Sequence, residues 1–178
     1  MASDKKAPVA ARACLDGPVA IVMGSDSDMD VMKKCIEQLD DFGIKPTVRI
    51  ISAHRTPEIA AEFAAGAAKN GIKVIIAAAG MAAHLAGAMA AKSTLPVIGV
   101  PLDSGGGLGG MDALLSTVQM PPGVPVATMG IGKAGAKNAA IFAVQILAQS
   151  NDSLQEKIAE FKKAQEKKVI KKDSKIQK

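Results

Sequence analysis

Tryptophan and tyrosine are absent from this 178-residue chain, and only four phenylalanines are present. Binding of single-stranded nucleic acid by base stacking needs aromatic platforms, and that material is missing here. Cysteine is nearly as scarce: Cys14 and Cys35 have neither the spacing of a metal site nor the number for a disulfide framework. That usage suits a reducing cytoplasm. No apolar run reaches the roughly 18 residues that a membrane span needs, although 48% of the residues are hydrophobic and mean hydropathy is positive. Much of that apolar content is alanine. The stretch from Met1 to Leu15 carries Lys5, Lys6 and Arg12 around no long apolar centre, and reads as a disordered lead, not a signal peptide. A Walker loop, a zinc spacing and a Gly-x-Ser-x-Gly elbow are also missing.

Positive charge is in excess, a formal +5, and it gathers at the end of the chain. From Lys157 to Lys178 there are nine lysines against Glu160, Glu166 and Asp173, with Glu156 flanking. A basic tail can touch nucleic acid, but a solvated helix face with a frayed end accounts for the same composition. No membrane partner is expected, and nucleic-acid binding by the tail is at most an accessory property, which strong duplex binding at moderate salt would promote.

Strand and helix signals alternate along the chain. Val19 to Met23 is a short apolar strand, and Gly24-Ser25-Asp26-Ser27-Asp28 turns into a helix reaching about Phe42. Met32, Cys35, Ile36 and Leu39 repeat along it at spacings of 3 or 4, and Gly43 stops it. Thr47 to Ile51 forms a second strand, after which Thr56-Pro57-Glu58 opens a helix with a cap residue and proline at its first position. Val74 to Ala79 is a third strand, buried on both faces to judge by its unbroken apolar run. Gly80 to Leu85 then turns into an alanine-rich helix through Lys92. Pro96 precedes a fourth strand, Val97 to Val100, and the glycine-rich loop Gly105 to Gly110 leads into a helix from Asp112 to Val118. Val124 to Met129 is a fifth strand and Ala136 to Ala148 a fifth helix. Asp152 to about Lys171 reads as one more amphipathic helix, with Leu154, Ile158 and Phe161 on one stripe.

Five strands alternating with helices predict a three-layer α/β fold, with a five-stranded parallel flavodoxin-like sheet in the order 2-1-3-4-5 and an extra C-terminal helix. The stripe on that last helix must cover the sheet or dock on another subunit. The expected organisation is a flexible lead over 1–17, a catalytic domain over 18–150, and a C-terminal helix with a basic tail over 151–178.

His54, one of only two histidines, stands in Ser52-Ala53-His54-Arg55-Thr56-Pro57 at the end of the second strand. Open α/β sheets hold ligands in the crevice at the carboxyl ends of their strands. An imidazole there can move a proton near neutral pH, and the adjacent Arg55 guanidinium can grip a phosphate or carboxylate with two parallel hydrogen bonds. Proton transfer on an anionic small molecule is the first expectation. The Gly24 to Asp28 turn adds hydroxyls and free amides at a helix N-terminus, which suit a phosphate. A carboxylate repels phosphate but accepts from a ribose diol, which places Asp28 one sugar away from the anion. Ser27 or Asp28 equally well caps the helix. Three successive strand ends therefore converge: Ser25 and Asp28, Ser52 with His54 and Arg55, and Gly80 with His84. His84 either binds a carboxylate or caps backbone, and ranks below His54 as a proton carrier. Gly130-Ile131-Gly132-Lys133-Ala134-Gly135 matches a dinucleotide fingerprint, but no further strand follows to supply its acidic residue. The cluster Gly105 to Gly110 matches by glycine density alone.

Five segments together resemble the N5-carboxyaminoimidazole ribonucleotide mutases of the aminoimidazole ribonucleotide carboxylase family, over about Val19 to Leu147. They are Val22-Met23-Gly24-Ser25-Asp26-Ser27-Asp28, Ser52-Ala53-His54-Arg55-Thr56-Pro57, Ala82-Ala83-His84-Leu85, Leu114-Leu115-Ser116-Thr117-Val118-Gln119-Met120-Pro121 and Gly132-Lys133-Ala134-Gly135-Ala136-Lys137-Asn138-Ala139-Ala140. The resemblance implies a carboxyl shift within one bound nucleotide of purine biosynthesis, from the exocyclic N5 to ring carbon C4, with no metal or organic cofactor. It implies that Ser25, Asp28 and Arg55 bind the ribonucleotide and that His54 handles protons. Ser27, Ser52, Ala53, Gly80, Ala82, His84 and Leu85 complete the expected substrate-binding set. It also implies an octamer with active sites at subunit junctions, where the glycine-rich loop and the Met120-Pro121-Pro122-Gly123 turn are candidates for the lining.

Gly80-Met81 stands where the family usually has two glycines, and Ala86 replaces its usual proline. The segment Asp103 to Gly107 is richer in glycine than the family pattern. Related carboxylases that use free carbon dioxide carry a different sequence in place of Ala82-Ala83-His84-Leu85, so the mutase is favoured over that alternative. A non-enzymatic flavodoxin-like module fits poorly: a receiver domain wants aspartate at the end of the third strand, where Ala77, Ala78 and Ala79 stand, and a flavin carrier wants aromatic rings.

Overall fold

The computed structural model describes residues 17–106 and 108–177. The lead with Cys14, Gly107 of the glycine-rich loop and the terminal Lys178 lie outside the described residues. The chain runs β1 (Val19–Met23), α1 (Met29–Asp41), β2 (Thr47–Ile50), α2 (Pro57–Gly66), β3 (Val74–Gly80), α3 (Leu85–Lys92), β4 (Val97–Leu102), α4 (Met111–Val118), β5 (Ala127–Thr128), α5 (Gly132–Ala148) and α6 (Asp152–Ile176). A 3-10 turn, Asp26–Asp28, precedes α1. The strands form one sheet in the order β2-β1-β3-β4-β5, every neighbouring pair parallel. This is the predicted order.

Alternation along each strand sends successive side chains to opposite faces, and each face has its own core. Val19, Ile21 and Met23 of β1 join Val74, Ile76 and Ala78 of β3 beneath α1 and α5. Ala20 and Val22 join Ile75 and Ala77 on the other face, beneath α2 and α3. With both faces covered, the central strands are apolar throughout, as parallel sheets require. The small side chains Ala136, Ala139, Ala140 and Ala143 are fully buried along α5, so its backbone lies close to the sheet and to α1. Cys35 of α1 is free and buried in that layer. Burial pushes its thiol up to about 12, which leaves it unreactive.

Several boundaries depart from the sequence reading. β5 keeps only two residues, not the expected Val124 to Met129. Pro125 has no N–H for the ladder, and the Pro121–Val124 turn delivers the chain late to the sheet edge. β4 runs on through Pro101 to Leu102. Pro101 and Leu102 stay in register with Ala79 and Gly80 of β3, and β5 pairs only with Ile98 and Gly99, which leaves the other flank of β4 as an edge that tolerates Pro101. α5 begins at Gly132, four residues before the predicted Ala136, so the second half of the glycine fingerprint is helical.

The last helix docks on its own domain. Asn151 caps it by accepting from the Leu154 N–H at 3.1 Å. Leu154, Ile158 and Phe161 pack against the α1/α5 core, with the Phe161 ring 5.4 Å from that of Phe42. Lys157 Nζ donates to the Phe42 carbonyl at 2.9 Å, a cation at the carbonyl end of α1 where the helix dipole favours it. From Lys162 onward every described residue is exposed. No helix among the described residues is long and apolar enough to cross a membrane.

Parallel strands end on one side of the sheet. Chain connections leave β1 and β3 toward opposite faces, α1 lying on one and α3 on the other. A crevice opens between them, with the loop after β2 beside it.

Candidate active site

The loop after β1 is held by a reciprocal cap. Ser25 is extended (φ −151°, ψ 161°), its hydroxyl accepts from the Ser27 N–H, and the Asp28 carboxylate reaches back to the Ser25 N–H at 3.1 Å. The capping role left open between Ser27 and Asp28 thus falls to Ser25 and Asp28 as a pair. Burial raises the Asp28 carboxyl above its ordinary value, against hydrogen bonds from Ser25, Ser27 and Gly24 that lower it. A ligand hydroxyl donating to this half-buried carboxylate would offset that desolvation.

The loop after β2 is tied at its base. Thr56 was expected to cap α2, but its side chain makes no cap bond. Instead its hydroxyl accepts from the Ser52 N–H at 3.0 Å and donates to the Ser52 carbonyl at 2.9 Å. The Ser52 hydroxyl accepts from the Arg55 backbone N–H at 3.2 Å. Ala53, His54 and Arg55 therefore project from a closed turn, not from a loose loop. Arg55 also donates from its guanidinium to the Gly24 carbonyl at 2.7 Å, bridging to the loop after β1.

The loop after β3 brings the second histidine. His84 occupies the N-cap position of α3 without capping it. Its Nδ1 lies 2.8 Å from His54 Nε2, with the two rings edge to face at 4.9 Å between centroids. One nitrogen of that contact must carry the hydrogen and the other accept it, so the two tautomers are linked. The outer nitrogens, His54 Nδ1 and His84 Nε2, have no partner among the described residues. Backbone capping by the His84 side chain, one of the two expectations, is thereby overturned.

These loops enclose a cleft of about 470 Å³, lined by Ser25, Ser27, Asp28, Ser52, Ala53, His54, Arg55, Gly80, Ala82, His84 and Leu85 together with four further residues. Every residue of the expected catalytic and substrate-binding set is among them. A pair of linked imidazoles beside a guanidinium, hydroxyls and a carboxylate can hold an anionic sugar and move protons on what it carries.

The family described as AIR carboxylase matches residues 18–168 of this sequence. The chain belongs to the AIR carboxylase family. Its relatives in that family include N5-carboxyaminoimidazole ribonucleotide mutases from three distant organisms. That of Vibrio parahaemolyticus is 50% identical over 152 residues, covering 85% of this chain and 94% of the relative. That of Bacillus subtilis is 55% identical over 142 residues, covering 80% and 87%. That of Pyrococcus abyssi is 53% identical over 144 residues, covering 81% of each chain. Among solved structures, Treponema denticola PurE superposes with a TM-score of 0.80 at 29% identity, covering 90% of this chain and 98% of that one.

Of the four further residues lining the cleft of this AIR carboxylase family member, Gly24 belongs to the turn already singled out from the sequence, whereas Ala79, Met81 and Ser104 were not assigned to the site. Ser104 follows β4, and its hydroxyl fills the place a Gly80 side chain would need. The adjacency of β3 and β4 was the signal that could have found it. No described residue of Gly105 to Gly110 lines the cleft, and neither do Gly130 to Gly135 or Met120 to Gly123. Lys133 in the second glycine segment instead pairs with Asp30 at 3.1 Å, across the starts of α5 and α1.

Proposed function

We infer that this chain is an N5-carboxyaminoimidazole ribonucleotide mutase of purine biosynthesis, moving a carboxyl group from N5 to ring carbon C4 of one bound nucleotide. Relatives of that name at half identity support the reading, and the joined imidazoles of His54 and His84 in one cleft with Arg55 carry its chemistry. The phosphate lies toward Arg55 and the amides and hydroxyls of Ser25 and Ser27, and the ribose diol toward Asp28. Ser52, Ala53, Gly80, Ala82 and Leu85 shape the space for the ring.

In the forward reaction the carbamate C–N bond breaks, leaving carbon dioxide and an amine that takes a proton at N5. The electron-rich C4 then bonds the carbon of carbon dioxide, and loss of the C4 proton to His54 restores the aromatic ring. One proton is taken up and one released, so the isomerisation needs no external acid or base. The linked imidazoles suit that exchange, because a proton accepted by one ring can be balanced at the other. Holding both fragments in one pocket makes their recombination effectively unimolecular.

Incubation with N5-carboxyaminoimidazole ribonucleotide tests the reading. Conversion to the C4-carboxylated nucleotide without added bicarbonate is expected. Product formation only from aminoimidazole ribonucleotide, rising with bicarbonate, would instead mark a carbon dioxide-dependent carboxylase. Arg55→Lys is expected to raise the KM for the nucleotide about tenfold with little change in kcat, since a point charge cannot reproduce the planar fork. An unchanged KM would refute the anion-binding role of Arg55.

We further propose a cytoplasmic homo-octamer. The scarcity of cysteine and the want of a disulfide framework support the compartment. The exposed apolar residues Met111, Leu115 and Val118, spaced along one side of α4, with Leu108 just before it, support burial between subunits. Light scattering is expected to return eight times the protomer mass, and a stable monomer at micromolar concentration would refute it.

A further inference from the structure

Among the described residues Met81 alone has a positive φ without being glycine, at 55°. An L side chain in that region strains the backbone, and such strain persists only where neighbours over-determine it. Here they do. Gly80, before it, is locked between Ser104 and the Leu102 carbonyl of β4. After it, the His84 N–H donates to the Ala82 carbonyl at 2.8 Å, and Ala83 and Leu85 are buried at the start of α3.

The turn sets Met81 on the wall of the cleft with 63% of its surface exposed. Leu85, the other large apolar residue of the lining, is buried. Met81 is therefore the one accessible large apolar side chain that a protomer itself supplies to the cleft, on a wall otherwise made of hydroxyls, imidazoles, a guanidinium, a carboxylate and small residues. A thioether on three rotatable bonds packs well against an aromatic ring. The mutase reaction also creates a need that no polar group here meets. Carbon dioxide, once released from N5, is uncharged and small, and only a water-excluding cover keeps it beside C4.

We propose that Met81 is that cover: a specificity-determining side chain that closes over the aminoimidazole ring and retains carbon dioxide between cleavage and recombination. The inference rests on the mutase reading above. It gives Met81 contact with the reacting fragments and no part in proton transfer.

Wild type, M81L, M81A and M81G are to be compared on N5-carboxyaminoimidazole ribonucleotide in 13C-bicarbonate, reading label in the product carboxyl at initial rates. Wild type is expected to incorporate little label. M81A and M81G are expected to incorporate several-fold more, with KM raised roughly three- to tenfold, and M81L to restore low incorporation. M81G is expected to melt above M81A, because glycine relieves the left-handed turn, and so keeps the comparison readable should M81A fold poorly. Low label in M81A and M81G alike, with KM at the wild-type value, would overturn the proposal alone. Full labelling by the wild type would overturn the mutase reading, and the retention role with it.

Discussion

Replacing His54 with asparagine lowers turnover by at least ~10²-fold while nucleotide affinity stays within a few-fold, the usual size of a lost acid–base group. Asparagine is shorter, its amide standing where His54 Nδ1 stands, so the bond that His54 Nε2 makes to His84 is lost, but no bulk is added and the wall of the cleft stays in place. What it cannot do is take a proton from C4. Arg55, Ser25 and Asp28 are untouched, and they are assigned the anion and the sugar. Steady-state kinetics should therefore show kcat falling with KM nearly level, and equilibrium binding of the product nucleotide should report the retained affinity. Turnover within tenfold of wild type would move the proton carrier elsewhere, and His84, 2.8 Å away, would be the next candidate.

That imidazole pair marks the limit of what could be read from the chain. The strands β1, β2 and β3 are legible because each is a short apolar run closed by a turn. Once they are known to be parallel neighbours, Asp28, His54 and His84 must fall on one edge. Whether two side chains 30 positions apart touch is another matter. It depends on the depth of two loops, and those are set by bonds with no periodic signature. The hydroxyl of Thr56 is an instance: its residue type and place before Pro57 indicate a helix cap, yet it ties Ser52 on both sides and fixes the height of His54. Pro125 carried a visible warning against a long β5, since an imide nitrogen cannot join a ladder. Met81 carried one only by comparison, since it stands where the family usually has glycine; its own residue type gives no sign of a left-handed φ, which is imposed by Ser104 and α3.

The glycine segment from Gly130 to Gly135 has a sharper expected outcome than its pattern suggests. Gly135 is buried at the start of α5, and a β-carbon built there would overlap the carbonyl oxygen and carbon of Gly130. Both obstacles are backbone, so neither can swing aside. Gly135→Ala must push α5 off the segment that follows β5, and α5 carries the buried row Ala136, Ala139, Ala140, Ala143 and Val144. Overpacking of this kind costs about 2–3 kcal/mol, which for a chain of this size lowers the melting temperature by roughly 5–10 °C. Thermal unfolding at fixed protein concentration measures it. The cleft should be spared, since neither glycine lines it, and KM for the nucleotide should stay within about twofold at a temperature where the variant is folded. A dinucleotide-type role for the segment requires the reverse: stability kept and nucleotide binding lost. In this chain the last glycine of the fingerprint works much as the close-packing member of that motif does, by letting α5 approach the segment that follows β5, while the ligand is assigned to the other side of the sheet order, between β1 and β3.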